Sequence, residues 1–377
     1  MKKTKVVIAS VLKPIDDTRM LEKFGLSLAE TNKYDINIIG FESKNTNLHD
    51  NIHFKPLKSF NRLSFSRLLK PWHILSLYIK QKPQVIIAST HELLIVTFLY
   101  KILFGAKFLY DVQENYSKSI RSTNIYPRPI RAILATWIRL KEWCLRPAVD
   151  HYLLAESIYV SQLAFTKNKY TVLENKYAPQ ADEKPAYRMP EPDKINLVYT
   201  GTIADSNGVF EAISITKQLY QLDSSVRLRI VGYCALKRDL LRLKEEISDC
   251  DFIELNGGDH LVPHNEIIEA IQKADYGFVL KKPNNGMNDD KVLTRLFEYT
   301  ANKLPIILLN NPTWVEFCEQ FNAAIVVDPN HINATELLSQ MQPQNFYTIG
   351  DTNTSLWDSE KPKLVSLIDQ LTQFRLD

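Results

Sequence analysis

The chain has 377 residues, 45% hydrophobic and 24% charged, with a formal net charge of +3. That length and apolar content suit two domains with buried cores and exclude an intrinsically disordered chain. The small net charge hides an asymmetry: residues 1–150 carry 24 Lys and Arg against 12 Asp and Glu, and the remainder 22 against 31.

At the amino terminus, Met1-Lys2-Lys3-Thr4-Lys5 precedes an apolar stretch too short for a signal peptide. Strands are expected at Lys5–Ser10, Tyr34–Gly40, Gln84–Ala88, Lys107–Asp111, His151–Ala155 and Thr171–Glu174. Helices fall between them at Met20–Glu30, Leu63–Lys80, Leu93–Phe104, Ile130–Leu145 and Ser157–Phe165. Such alternation predicts a parallel sheet covered by helices on both sides. The most apolar longer segment, Leu93 to Tyr110, is interrupted by Lys101 and Lys107, so it reads as a core helix and strand and not a membrane span.

The polar stretch Lys176–Lys194, with Pro179, Pro185, Pro190 and Pro192, has no apolar period and is the natural linker. After it the pattern restarts. Strands are expected at Ile195–Thr200, Val226–Val231, Phe252–Leu255, Tyr276–Leu280, Pro305–Leu309 and Ala323–Val327. The helices are Val209–Tyr220, Leu236–Ile247, Glu266–Lys273, Lys291–Ala301, Trp314–Gln320 and Ala334–Met341. The tail Lys361–Phe374 places Leu364, Leu367, Ile368 and Leu371 at helical spacing.

Cys144, Cys234, Cys250 and Cys318 lie far apart, which suggests neither a disulfide framework nor a structural zinc site and fits a reducing cytoplasm. The positive excess is concentrated in two segments. Lys58–Lys82 mixes Arg62, Arg67 and Lys70 with Phe60, Phe65 and Trp72, and Lys118–Arg146 contains Trp137 and Trp143. Two readings stay open: helices lying on an anionic membrane surface, or solvated helix faces backed by a core stripe. No nucleic-acid motif accompanies the charge, so nucleic acid is not expected as a partner.

The densest functional signal runs from Asp290 to Leu309. Leu293, Leu296, Phe297 and Thr300 fall on one helical face, while Asp290, Arg295 and Glu298 project from the helix start and flank. Asn302-Lys303-Leu304-Pro305 then breaks the helix ahead of the apolar run Ile306–Leu309, the pattern of a central parallel strand. This segment resembles family 4 of the retaining glycosyltransferases with the GT-B fold, in which a basic residue sits three before a Glu-Tyr pair and a strand follows. Two further stretches carry the resemblance: Asp16-Asp17-Thr18-Arg19 with Lys23 and Ser27-Leu28-Ala29, and Val198-Tyr199-Thr200-Gly201-Thr202 with Asn207-Gly208.

The resemblance implies an α/β chain of two doubly wound Rossmann-like domains facing across a cleft. Residues 1–177 would form the acceptor side and 178–355 the donor side, with 356–377 a helix returning to the first domain. It implies a nucleotide diphosphate sugar donor, a glycan or lipid-linked acceptor in cell-surface polysaccharide synthesis, and no cofactor or metal; the cysteines and the basic segments add the expectation of a cytoplasmic protein peripheral to the inner face of the membrane. On the donor side, Glu298 would hold the ribose, Arg295 and Lys282 the diphosphate, Asp290 and Asn288 sugar hydroxyls, and Gly201 and Thr202 phosphate through the backbone. Arg19, Gln113, Glu114 and His91 would line the acceptor side. For Arg19 the residues also allow a helix capped by Asp17 or Thr18 with its guanidinium in solvent, and a lone His such as His91 is often structural. The pair Asp289-Asp290 is read as a cap in preference to a metal site. The chain departs from the family where Gln113 replaces His, Thr202 replaces Arg and Asn207 replaces Lys. Those departures motivate the competing readings: a non-catalytic GT-B partner or glycan-binding protein, or a nucleotide-sugar epimerase or hydrolase.

Overall fold

The computed structural model describes residues 3–43, 49–58, 66–122, 127–179, 193–283, 291–328 and 331–373. The chain divides into two compact units, Met1–Ala178 with Trp357–Asp377, and Pro179–Leu356. Asn288, Asp289 and Asp290, together with Phe60, Arg62 and Phe65, lie outside the described residues.

The first unit is built on β1 (Thr4–Pro14), β2 (Tyr34–Phe41), β3 (Ile52–Leu57), β4 (Val85–Ala88), β5 (Lys107–Val112), β6 (His151–Leu154) and β7 (Tyr170–Val172). They form a parallel sheet in the order β3-β2-β1-β4-β5-β6-β7. The apolar runs follow from burial on both faces, because successive side chains of a strand point to opposite sides. Val7, Ala9, Ile86 and Ala88 enter one core, and Val6, Ile8, Val85 and Ile87 the other. β3 was not expected, since Ile52–Leu57 carries Pro56 and has no apolar run. An edge strand tolerates both, because one of its sides needs no ladder bonds.

The expected helix Met20–Glu30 begins as a π-turn over Arg19–Gly25, with Lys23 N–H donating to Thr18 O at 2.9 Å, and becomes α-helical only at Leu26–Ala29. Asp17 Oδ1 accepts the N–H groups of Arg19 and Met20. The wide turn carries Arg19 and Lys23 inward, each 3% exposed.

Residues beyond Trp357 complete this unit. On the helix Lys361–Gln373, Leu364, Leu367 and Ile368 enter the core that holds Phe24 and Leu28. Trp357 packs on Phe24 and donates its indole N–H to Ser27 Oγ at 2.8 Å.

The second unit contains β8 (Ile195–Thr200), β9 (Val226–Tyr233), β10 (Ile253–Gly258), β11 (Tyr276–Val279), β12 (Ile306–Leu309) and β13 (Ala324–Val327), parallel and in the order β10-β9-β8-β11-β12-β13. In each sheet the strand order reverses once, between β1 and β4 and between β8 and β11. Such a switch point opens a crevice beyond the carboxyl ends of the strands, where ligands of doubly wound sheets bind. No helix among the described residues is long and apolar enough to cross a membrane.

Candidate functional site

In the second unit, β8 ends at Thr200 and the chain turns through Gly201 at φ +95°. Gly201 N–H donates to Val231 O and Ile203 N–H to Tyr233 O, both at 2.9 Å, so the loop stays tied to β9. This bears on one expectation, since the Gly201 amide expected to face a phosphate is engaged within the protein. The buried Tyr199 hydroxyl donates to the Thr202 and Asn207 carbonyls, and Asn207 Nδ2 also donates to Thr202 O. Gly208, at φ +80°, then starts the helix Val209–Leu222. Only glycine fits there, since a Cβ would stand 2.1 Å from the Leu280 carbonyl oxygen. That contact seats the start of the helix against the end of β11. The first-turn amides of a helix lack intrahelical acceptors and favour an anion.

Across the switch point, Arg295 rises from the helix Thr294–Ala301. Its guanidinium lies 4.9 Å from the Tyr199 ring centroid, donates weakly to Phe278 O at 3.4 Å, and has Nη2 3.0 Å from where a Gly201 Cβ would sit. The missing side chain at 201 is what admits the arginine. One turn along the same helix, Glu298 Oε1 meets His264 Nε2 at 3.1 Å, at the start of the helix His264–Gln272. Lys282, just past β11, is held by Asp205 Oδ1 at 3.0 Å and Glu211 Oε1 at 2.8 Å. Burial alone would lower its pKa, but those two carboxylates outweigh it and hold the ammonium above its ordinary range. Of the expected donor residues, Gly201 and Arg295 touch across the switch point between β8 and β11, Thr202 follows Gly201 in the same loop, Lys282 joins Asp205 and Glu211, and Glu298 lies one helical turn from Arg295. Asn288 and Asp290 are outside the described residues. Trp314, 1% exposed, bonds the Lys291 carbonyl and anchors the segment that follows them. His264, Asp205 and Glu211 were not anticipated, because nothing near them in sequence marks them as partners of Glu298 or Lys282.

In the first unit, Arg19 follows β1 and is neither solvated nor exposed to a ligand. Its Nε and Nη2 donate to the Asp111 carboxylate at 2.8–3.2 Å, and Nη1 to Leu173 O at 2.9 Å. Arg19 is thus a supporting residue and not the direct acceptor contact expected from the sequence. The other expected residue it serves is Gln113, whose Nε2 donates to Asp111 Oδ2 at 2.7 Å. Glu114 accepts from Ser119 Oγ at 2.7 Å.

His91 belongs to a separate buried cluster just after β4. Its Nδ1 lies 3.0 Å from Lys141 Nζ, and its Nε2 lies 3.6 Å from Glu92 Oε1, which Arg67 also binds. Its ring packs edge-on against Tyr116 at 4.8 Å. Burial lowers the His91 pKa to about 4, with Glu92 opposing and Lys141 and Arg67 adding to the fall. Burial likewise brings Lys141 down to about 8 against the pull of Glu92 and Glu142. At neutral pH His91 is a neutral imidazole beside a cation. Its free lone pair accepts from the ammonium, which fixes the tautomer. The hydroxyls of Ser89 and Thr90, buried just before it, have no hydrogen-bond partner among the described residues.

No protein-family model matches the chain, and no curated protein matches it in sequence. Solved structures do match in shape. Sucrose-phosphate synthase from Thermosynechococcus elongatus is similar over 100% of both chains, with a TM-score of 0.70 at 13% identity. The α,α-trehalose 6-phosphate synthase of Burkholderia multivorans also covers 100% of both, with a TM-score of 0.64 at 11% identity. Anabaena HepE, in complex with UDP and glucose, is similar over 97% of this chain and 99% of its own, with a TM-score of 0.62 at 11% identity. With these similarities and two parallel sheets of seven and six strands, the chain has the two-domain α/β architecture of the GT-B fold.

Proposed function

We propose that the protein is a retaining glycosyltransferase that moves a sugar from a nucleotide diphosphate sugar to a glycan or lipid-linked acceptor in cell-surface polysaccharide synthesis, working at the cytoplasmic face of the membrane. The observation that carries the reading is Arg295 packed on Gly201 across the β8–β11 switch point, with Glu298 one turn along its helix and Lys282 just past β11, in a fold whose similar structures include one holding UDP and glucose. Arg295 and Lys282 are the cations for the diphosphate, with the first-turn amides after Gly208 beside them. Glu298, oriented by His264, accepts from the ribose hydroxyls, and Asn288 and Asp290 serve the sugar. The second unit thus supplies charge and position.

In the reaction the bond between the sugar C1 and the diphosphate oxygen breaks as the acceptor hydroxyl bonds to C1 on the same face. The hydroxyl proton passes to the departing phosphate oxygen, so no side chain needs to act as general base. Gln113 and Glu114 line the acceptor side, with Arg19 holding Asp111 behind Gln113.

The test is UDP and uridine binding by calorimetry to the unaltered protein, Arg295→Ala and Glu298→Ala, followed by transfer assays over a panel of nucleotide sugars. Loss of a charge-assisted hydrogen bond of about 1.5–3 kcal/mol lowers affinity roughly 10- to 150-fold. Arg295→Ala is expected to weaken UDP and spare uridine, and Glu298→Ala to weaken both. Equal loss of UDP and uridine in Arg295→Ala would remove that residue from the diphosphate. Donor binding without transfer to any acceptor would favour a non-catalytic partner, and hydrolysis or isomerisation of the donor alone would favour the epimerase or hydrolase reading.

A further inference from the structure

Three helices of the first unit lie side by side, with Leu94–Phe104 packed against both Ser66–Gln81 and Arg128–Leu145. Each has an inner face in the core, represented by Ile74 and Tyr78, by Leu94 and Tyr100, and by Ala135 and Ile138. Their outer faces are apolar as well. Leu68, Leu69, Ile102, Leu103 and Ile133 are each 64–69% exposed, and Trp72, Trp137 and Trp143 are 53–55% exposed. Large apolar side chains left exposed together on neighbouring helices mark an interaction site.

The charge around this surface identifies what covers it. The first two helices contain no Asp or Glu, and the third contains only Glu142, which is 4% exposed and paired with Arg139. Lys80, Arg121 and Arg128 are exposed nearby, and the Arg146 guanidinium lies 4.7 Å over the Trp143 ring. A second copy of the chain is a poor occupant, since a two-fold contact would bring the same cationic rim against itself. Exposed leucine, isoleucine and tryptophan side chains, with exposed cations and no exposed acid on the same three helices, match the chemistry of an anionic bilayer surface: acyl chains, the headgroup boundary and phosphates.

We propose that this three-helix face inserts into the interfacial layer of an anionic lipid bilayer, with Ile102, Leu103 and Ile133 among the acyl chains and the three tryptophans at headgroup level. The inference deepens the reading that the acceptor is presented at a membrane, and it chooses insertion over purely electrostatic adsorption.

The experiment is co-sedimentation of the full chain with vesicles of phosphatidylcholine containing 30% phosphatidylglycerol, without donor or acceptor, alongside quenching of tryptophan fluorescence by brominated lipid. Partition is expected to fall between 0.1 and 0.5 M NaCl without vanishing, and brominated lipid is expected to quench. The exposed substitutions Ile102→Glu and Ile133→Glu together are expected to lower partition at least tenfold with an unchanged circular dichroism melt. Complete release at 0.5 M NaCl, no quenching, or undiminished partition of the folded double variant would overturn insertion. Dimerisation in solution that the double variant abolishes would assign the face to a second copy instead. Glu298→Ala is expected to bind vesicles as the unaltered protein does, so failure of insertion is separable from failure of the donor-site reading.

Discussion

Acidification is expected to destabilise the first unit through His91, and the size of the effect follows from its surroundings. In the folded chain burial holds its pKa at about 4, against an ordinary 6.5, with Glu92, Lys141, Arg67 and Tyr116 packed around the ring. Between those values the unfolded chain binds a proton that the folded chain refuses, so stability is lost as pH falls through 6.5 towards 4. At about 1.36 kcal/mol per pKa unit, lowering the pH from 7 to 4.5 costs on the order of 2 kcal/mol from this residue alone. Replacing His91 with Gln keeps a polar side chain and removes the titration, while Arg67 still neutralises Glu92 in both proteins. The assay is urea denaturation at pH 7 and 4.5 followed by tryptophan fluorescence, since Trp72, Trp137, Trp143 and Trp357 all lie in the first unit. The expected result is a pH-dependent loss of stability smaller by about 2 kcal/mol in His91→Gln than in the unaltered chain. An equal loss in both proteins, or an imidazole titrating near 6.5 by NMR, would refute the reasoning.

Two further outcomes concern the second unit. Gly208→Ala is expected to destabilise it by more than about 1–2 kcal/mol, the cost of a left-handed backbone at a residue with a Cβ, because the new atom also overlaps the Leu280 carbonyl. A thermal melt unchanged from the unaltered protein would contradict that packing. Asp205→Asn removes one of the two carboxylates holding Lys282 and is expected to tighten UDP binding several-fold, by lessening repulsion and freeing the ammonium. Unchanged or weaker binding by calorimetry would mean that Lys282 does not reach the diphosphate.

The sequence announces the middle of the second sheet clearly: Ile195–Thr200 is recovered to the residue and β11 and β12 within one, because central parallel strands covered on both faces are largely apolar. β3 stayed hidden because an edge position relaxes that demand and admits Pro56. The helix Tyr116–Ser122 was also missed, being short and carrying one buried residue, Ser117. Of the candidate site, Arg295 and Glu298 were legible because they share a helix with a strong pattern. Their surroundings were not: His264 is 34 positions from Glu298, Asp205 is 77 from Lys282, and Asp111 is 92 from Arg19. Such pairs follow from strand order and burial, which local spacing does not encode. Arg19 is the clearest case, since a π-turn turned a presumed surface arginine into half of a buried ion pair. Removing one partner of such a pair costs about 3–5 kcal/mol.

The return of the chain at Trp357 has a consequence for synthesis. The Pro179–Leu356 unit is contiguous, so it can fold on the ribosome as soon as its last strand and helices have emerged. The other unit has its first part ahead of this one in the chain, yet cannot close its core until Trp357, Leu364 and Ile368 arrive more than 170 residues after Ala178. During translation the half made first is therefore finished last. Its open face, lined by Phe24 and Leu28, is where a nascent-chain chaperone would have most to protect.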